Sequence, residues 1–126
     1  MIEDDFRRDG KMKKSARRRW LRLTDEVERK YRSAVWVLER VWPAERRPVW
    51  LLLGEDGEMA DDPSRCPYCI EVEGVCDKCI VPFVMGSAEN TGACFSIIDR
   101  MFDNKTRRPI YNALRRIRRA LEEEEI

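Results

Sequence analysis

Two cysteine pairs stand close together in this chain, Cys66-Pro67-Tyr68-Cys69 and Cys76-Asp77-Lys78-Cys79, with six residues between them. Thiolates are ligands that Zn²⁺ takes in fours at about 2.3 Å, and paired C-x-x-C turns supply them with little strain. The spacing predicts a structural zinc site of Cys66, Cys69, Cys76 and Cys79, closed by a small hairpin over residues 70–75, where apolar and acidic residues alternate before Gly74. An iron–sulfur cluster has the same ligand count and two disulfides would use the same four residues, so both stay open as alternatives. Cys94, the fifth cysteine, reads as a small buried residue at a helix start, or as an alternative ligand replacing one of the four.

Cys-Pro-Tyr-Cys also matches, residue for residue, the redox motif of glutaredoxins. That chemistry needs a strand directly before the motif and a helix starting at it, so that the helix dipole lowers the first thiol's pKa. Here an acidic loop precedes the motif and a second cysteine pair follows at once, so the glutaredoxin match is rejected and a thiol-disulfide redox protein is kept only as the third functional alternative. Over residues 66–94, the two close pairs, a nearby proline and then Gly92-Ala93-Cys94 resemble short uncharacterised prokaryotic and phage proteins thought to bind zinc. The run departs from theirs at Pro82, which in those proteins tends to follow the last cysteine directly. The resemblance implies a metal and brings no activity with it.

Charge is segregated although the formal net charge is only +1. Residues 1–23 carry +5, residues 24–48 +1, residues 49–104 −8 and residues 105–126 +3. The cysteine segment is therefore acidic and repels phosphates, while both ends attract them. Candidate nucleic-acid contacts are Arg7, Arg8, Lys11, Lys13 and Lys14 in a basic arm, Arg18 and Arg22 in the following helix, and Arg108, Arg115, Arg116 and Arg119 near the C-terminus. Arginine suits this role because its planar fork matches phosphate oxygens.

The elements that must position these groups are mostly helical. Trp20, Leu23, Val27, Tyr31, Ala34, Leu38 and Val41 recur at helical spacing, which predicts one long helix over residues 15–42, ended by Trp42-Pro43. Thr24-Asp25-x-x-Glu28 competes as a capping box, but the stripe runs through it without a change of phase. On that helical wheel Trp36 falls among arginines, opposite the stripe, where it would stack on a base or pack beneath another segment. Val49-Trp50-Leu51-Leu52-Leu53 reads as a buried strand, and the acidic residues 59–64 as a solvated loop. Ile110, Leu114, Ile117 and Leu121 make a second stripe, matched to the first.

The expectation is a single domain over 1–126, mostly α with a small β and zinc insert: a flexible arm at 1–14, the long helix, a strand plus zinc-binding segment at 49–92, and C-terminal helices at 93–125. The two long helices pack together, with the zinc hairpin between them. With 39% charged residues, no histidine, no apolar run of about 18 residues and an acidic start, the composition points to a cytoplasmic chain without a membrane partner. No catalytic set, Gly-rich phosphate loop or small-molecule substrate site emerges. The function expected is a non-enzymatic, zinc-stabilised binding protein that contacts nucleic acid. The alternative is an assembly protein that forms a homodimer or docks a partner.

Overall fold

Apolar side chains at every third or fourth position wind Lys14–Ser33 into one helix, α1, which buries Ala16, Trp20, Leu23, Val27 and Tyr31. The computed structural model describes residues 12–42, 47–75, 78–85 and 92–123. The helix does not restart at Thr24. That hydroxyl is fully buried and donates to the Trp20 carbonyl one turn back, at 2.7 Å, so it serves the helix interior instead of a cap.

At Ala34 the backbone turns extended, with φ −75° and ψ 148°, and Val35–Trp42 continues as strand β1. The expected helix over 15–42 thus stops at Ser33. Val35-Trp36-Val37-Leu38 is β-branched and aromatic, the composition that suits a pleated ribbon. It finds its partner in β2, Arg47–Leu53, in an antiparallel pair with Trp36 opposite Leu52 and Val37 opposite Leu51. A bulge interrupts the register between Leu38 and Arg40.

Four more helices follow: α2 (Pro67–Glu71), α3 (Ile80–Met85), α4 (Gly92–Asn104) and α5 (Arg108–Glu122). The chain is therefore mostly α with one small two-stranded sheet, as its periodicities predict. α5 buries Ile110, Leu114, Ile117 and Leu121, the predicted stripe, and touches α1, α3 and α4. It runs antiparallel to α1. Arg17 donates to the Leu121 carbonyl at 2.5 Å, Arg118 pairs with Asp25 at 2.7 Å and Glu28 at 3.0 Å, and Arg107 donates to the Ala34 carbonyl. Arg17 thereby satisfies an end carbonyl of α5 and places a cation at the negative end of its dipole.

Between β2 and α2 the chain turns through Gly54 to Gly57, where φ is +80°, and a 3-10 turn at Pro63–Arg65 delivers Cys66. No described helix is long and apolar enough to cross a membrane.

Candidate functional site

Cys66 is the residue just before α2, and Pro67 takes the first helical position, where its missing N–H costs nothing. Cys69 then falls one turn on. Tyr68 points the other way: its ring meets Trp20 with centroids 5.7 Å apart, and its hydroxyl shares a 2.6 Å hydrogen bond with Thr24. The tyrosine of the Cys-Pro-Tyr-Cys motif is thus an anchor that ties α2 to α1.

The expected hairpin over residues 70–75 is absent. Residues through Glu71 are helical, and the chain leaves α2 in a Schellman turn: Gly74 N–H bonds the Cys69 carbonyl at 2.8 Å and Glu73 N–H bonds Ile70 at 3.2 Å. Glu73 occupies the left-handed position with φ 54°, one that glycine fills most easily. The alternating pattern misled because Val72 is buried by the helix turn itself, with Ile70, Glu73 and Val75 facing out.

Cys79 is buried just before α3, held in place by Ile80 and Val81 in the core. Cys94 lies in the first turn of α4, on the exposed side. All four of these thiols, Cys66, Cys69, Cys79 and Cys94, line one cavity of about 90 Å³ whose remaining wall is mainly aliphatic. Cys76 lies outside the described residues. Among those described, no group of three or more Cys, Asp or Glu already stands gathered as a ligand set.

The thiols act on one another. The Cys66 thiol is drawn down to about 6, first by the Cys69 thiol directed at it, and further by the peptide N–H groups of Cys69 and Tyr68, against the opposing effect of burial. Cys69 is driven far up, by donating to Cys66, by burial, and by the fields of Cys66, Cys79 and Cys94. Burial also raises Tyr31, with Cys66, Cys94 and Asp61 adding to it. Asp61 is raised chiefly by burial, and its Oδ1 is buried with no hydrogen-bond partner while lining the same cavity. A divalent cation held among these thiols would offset part of the charge of their thiolates. Sequence reading placed Asp61 in a solvated loop. Asp61 is instead half-buried and lines the cavity with residues of distant elements such as Tyr31 and Val27, a placement set by tertiary packing.

The basic candidates separate into groups. Arg7, Arg8 and Lys11 lie outside the described residues. Lys13 and Lys14 are exposed at the start of α1, and Arg18 and Arg22 face solvent along it. Arg108, Arg115, Arg116 and Arg119 are exposed on α5, and Arg119 pairs with Glu123 at 3.3 Å. Arg18, Arg22, Arg115 and Arg116 have no acidic partner among the described residues. Arg22 and Arg29 stand one turn either side of Asp25 on α1, and Arg115 stands one turn before Arg118 on α5. The Arg118–Asp25 bridge therefore sits amid exposed guanidinium groups along the α1–α5 seam.

Trp36 does not belong to this surface. It lies in β1 and is half-buried, with its ring edge-on to Phe102 at 5.1 Å and 82°. The helical wheel placed it among arginines only because it assumed a helix there. Arg17, one residue from the candidate Arg18, is buried and structural. The chain matches no protein-family model, and no curated protein or solved structure is significantly similar to it.

Proposed function

We propose that this chain is a small, non-enzymatic binding protein that is stabilised by a structural Zn²⁺ and contacts nucleic-acid phosphates through arginines of α1 and α5. The thiols of Cys66, Cys69 and Cys79, with a fourth from Cys76 or Cys94, supply the metal. Four thiolates saturate a tetrahedral zinc and leave no position for a reactive water. An iron–sulfur cluster is the competing occupant of the same thiols.

What carries the binding half of the reading is the exposed set Arg18, Arg22, Arg115 and Arg116, guanidinium groups without acidic partners among the described residues on two packed helices. Rigid helices fix the spacing of these charges, and an arginine offers bidentate donors to phosphate. The acidic thiol segment keeps the metal site itself away from the polyanion.

The test is binding to generic single- and double-stranded oligonucleotides across a salt series. Affinity should fall with salt, with a log–log slope of about −0.7 to −0.9 for each phosphate neutralised. Arg22→Glu with Arg115→Glu should remove most of the binding while leaving the fold intact by circular dichroism. Absence of binding even at low salt ends this reading.

A second reading, self-assembly, has one observation in its favour. Val35 is 56% exposed and Val37 37% exposed, side by side on the ribbon face opposite Trp36. Exposed aliphatic residues on a two-stranded ribbon suit a second copy of the chain. Sedimentation velocity decides it: a dimer that Val37→Lys dissolves supports assembly, and a monomer at all concentrations excludes it.

A further inference from the structure

We propose that the partner of the arginine surface is a double-stranded nucleic acid, held by two matched rows of arginines, one row to each phosphate strand. The proposal rests on the nucleic-acid reading above and deepens it by naming the form of the ligand and by adding Arg29 to the contacts. Its basis is a match of spacing. On α1, Arg18, Arg22 and Arg29 are separated by four and then seven residues; on α5, read backwards, Arg119, Arg115 and Arg108 are separated by the same four and seven. Steps of four and seven keep side chains within about 40° of one another on a helix, so each triplet forms one row about 16 Å long. All six side chains are exposed.

Because α5 runs antiparallel to α1, the two rows stand side by side. The Arg17 bond to the Leu121 carbonyl levels one end, and the Arg107 bond to the Ala34 carbonyl levels the other. Five of the six guanidinium groups have no acidic partner among the described residues, and Arg119 has only the exposed pair with Glu123, a weak contact in water. Along the seam between the rows, Asp25 and Glu28 are matched by Arg118 and Arg32. A polyanion is therefore drawn to the two rows and not to the line between them. Axes of packed helices lie about 8–10 Å apart, between the ~6 Å minor and ~12 Å major groove widths of B-form DNA. Two strands flanking a groove can thus each meet one row, over roughly five phosphates. Single strands are served differently, by rings on which unpaired bases stack. Here Trp20 and Tyr31 of α1 are buried and Tyr111 of α5 is half-buried against the core, so neither row has an exposed ring beside it.

Anisotropy titrations of the full chain across a salt series test this, with a generic DNA duplex, an RNA duplex and the separate strands of each. At least one duplex should bind about tenfold or more tightly than either of its own strands at the same salt, and the two duplex arms tell DNA from RNA. Its log–log salt slope should be about −5, from about −0.9 for each of six phosphates. Replacing the α1 row (Arg18→Gln, Arg22→Gln and Arg29→Gln) should make the slope shallower by about 3, and replacing the α5 row (Arg108→Gln, Arg115→Gln and Arg119→Gln) should do the same, with circular dichroism unchanged in both. Arg29→Gln alone should remove about 1. Single strands that bind as tightly as their duplexes, or a row whose loss leaves the slope unchanged, overturn the two-strand proposal while the nucleic-acid reading stands. Absence of binding to every one of these oligonucleotides at low salt overturns that reading itself, and the proposal with it.

Discussion

Along the α1–α5 seam, two long helices meet through side chains they themselves present: a closed apolar stripe, the Arg17 bond to Leu121, and Arg118 between Asp25 and Glu28. Around the thiols, helices of five and six residues meet faces of α1, α4 and α5 about one cavity, which Asp61 also lines with a buried carboxylate oxygen that has no hydrogen-bond partner. The first region is joined by apolar packing and ion pairs between long helices, the second by short helices whose thiols are donors a metal would take. On the proposed reading, the fold has a self-sufficient frame and a part that depends on a bound metal.

The strongest way to break that comparison is to remove the metal. Structural zinc contributes on the order of 10 kcal/mol to folding of small domains. Chelation should abolish amide-exchange protection in α2 and α3 while most of it persists in α1 and α5. Uniform loss, or no loss, would mean that the two regions do not differ in kind. Next comes a cut in the frame: Leu121→Ala, at a fully buried site that does not line the thiol cavity, should cost about 2–5 kcal/mol in denaturant unfolding and leave the metal-to-protein ratio unchanged.

Smaller effects sharpen the contrast at the helix ends. α2 and α4 both exit through a non-glycine residue in the left-handed region, Glu73 at φ 54° and Lys105 at φ 47°. Glu73→Gly should relieve roughly 1 kcal/mol of backbone strain and stabilise the thiol region. Lys105→Gly gains the same relief but forfeits the ammonium that sits 3.9 Å over the Trp50 ring, a contact worth about 0.5–1 kcal/mol. Its net effect should be close to zero in the same unfolding assay.

The smallest effect concerns Asp61, whose pKa burial raises. A carboxyl raised in the folded state disfavours folding once the pH exceeds its unfolded value of about 3.9, and has no such effect below it. In metal-free protein, Asp61→Asn should therefore raise the melting midpoint at pH 7, with the gain disappearing below about pH 4. A gain that persists in acid would place the effect in packing and not in charge.

How far the sequence reveals these regions follows the same division. The stripes of α1 and α5 are legible because helix periodicity depends on neighbours a few residues away. The strand at Val35–Trp42 is hidden because Ala34, Leu38 and Val41 happen to continue the helical phase, while the pairing that decides the matter comes from β2. That Cys66, Cys69 and Cys79 line one cavity accords with their close spacing. The approach of Cys94 is not legible in the sequence, because it depends on how α4 packs against α3 and α5. Arg17 and Arg18 differ by one residue, yet one is buried and the other exposed, which the phase of α1 decides. Tyr68 looks like part of a redox motif until Trp20 and Thr24 are seen to hold it.

The central claim is that these thiols hold one structural metal ion. Native mass spectrometry of the purified full chain tests it most directly, with thiols counted under denaturing conditions after the metal is removed. The account predicts one zinc per chain and five titratable thiols on release. A metal-free chain in which cysteines are paired as disulfides would contradict it.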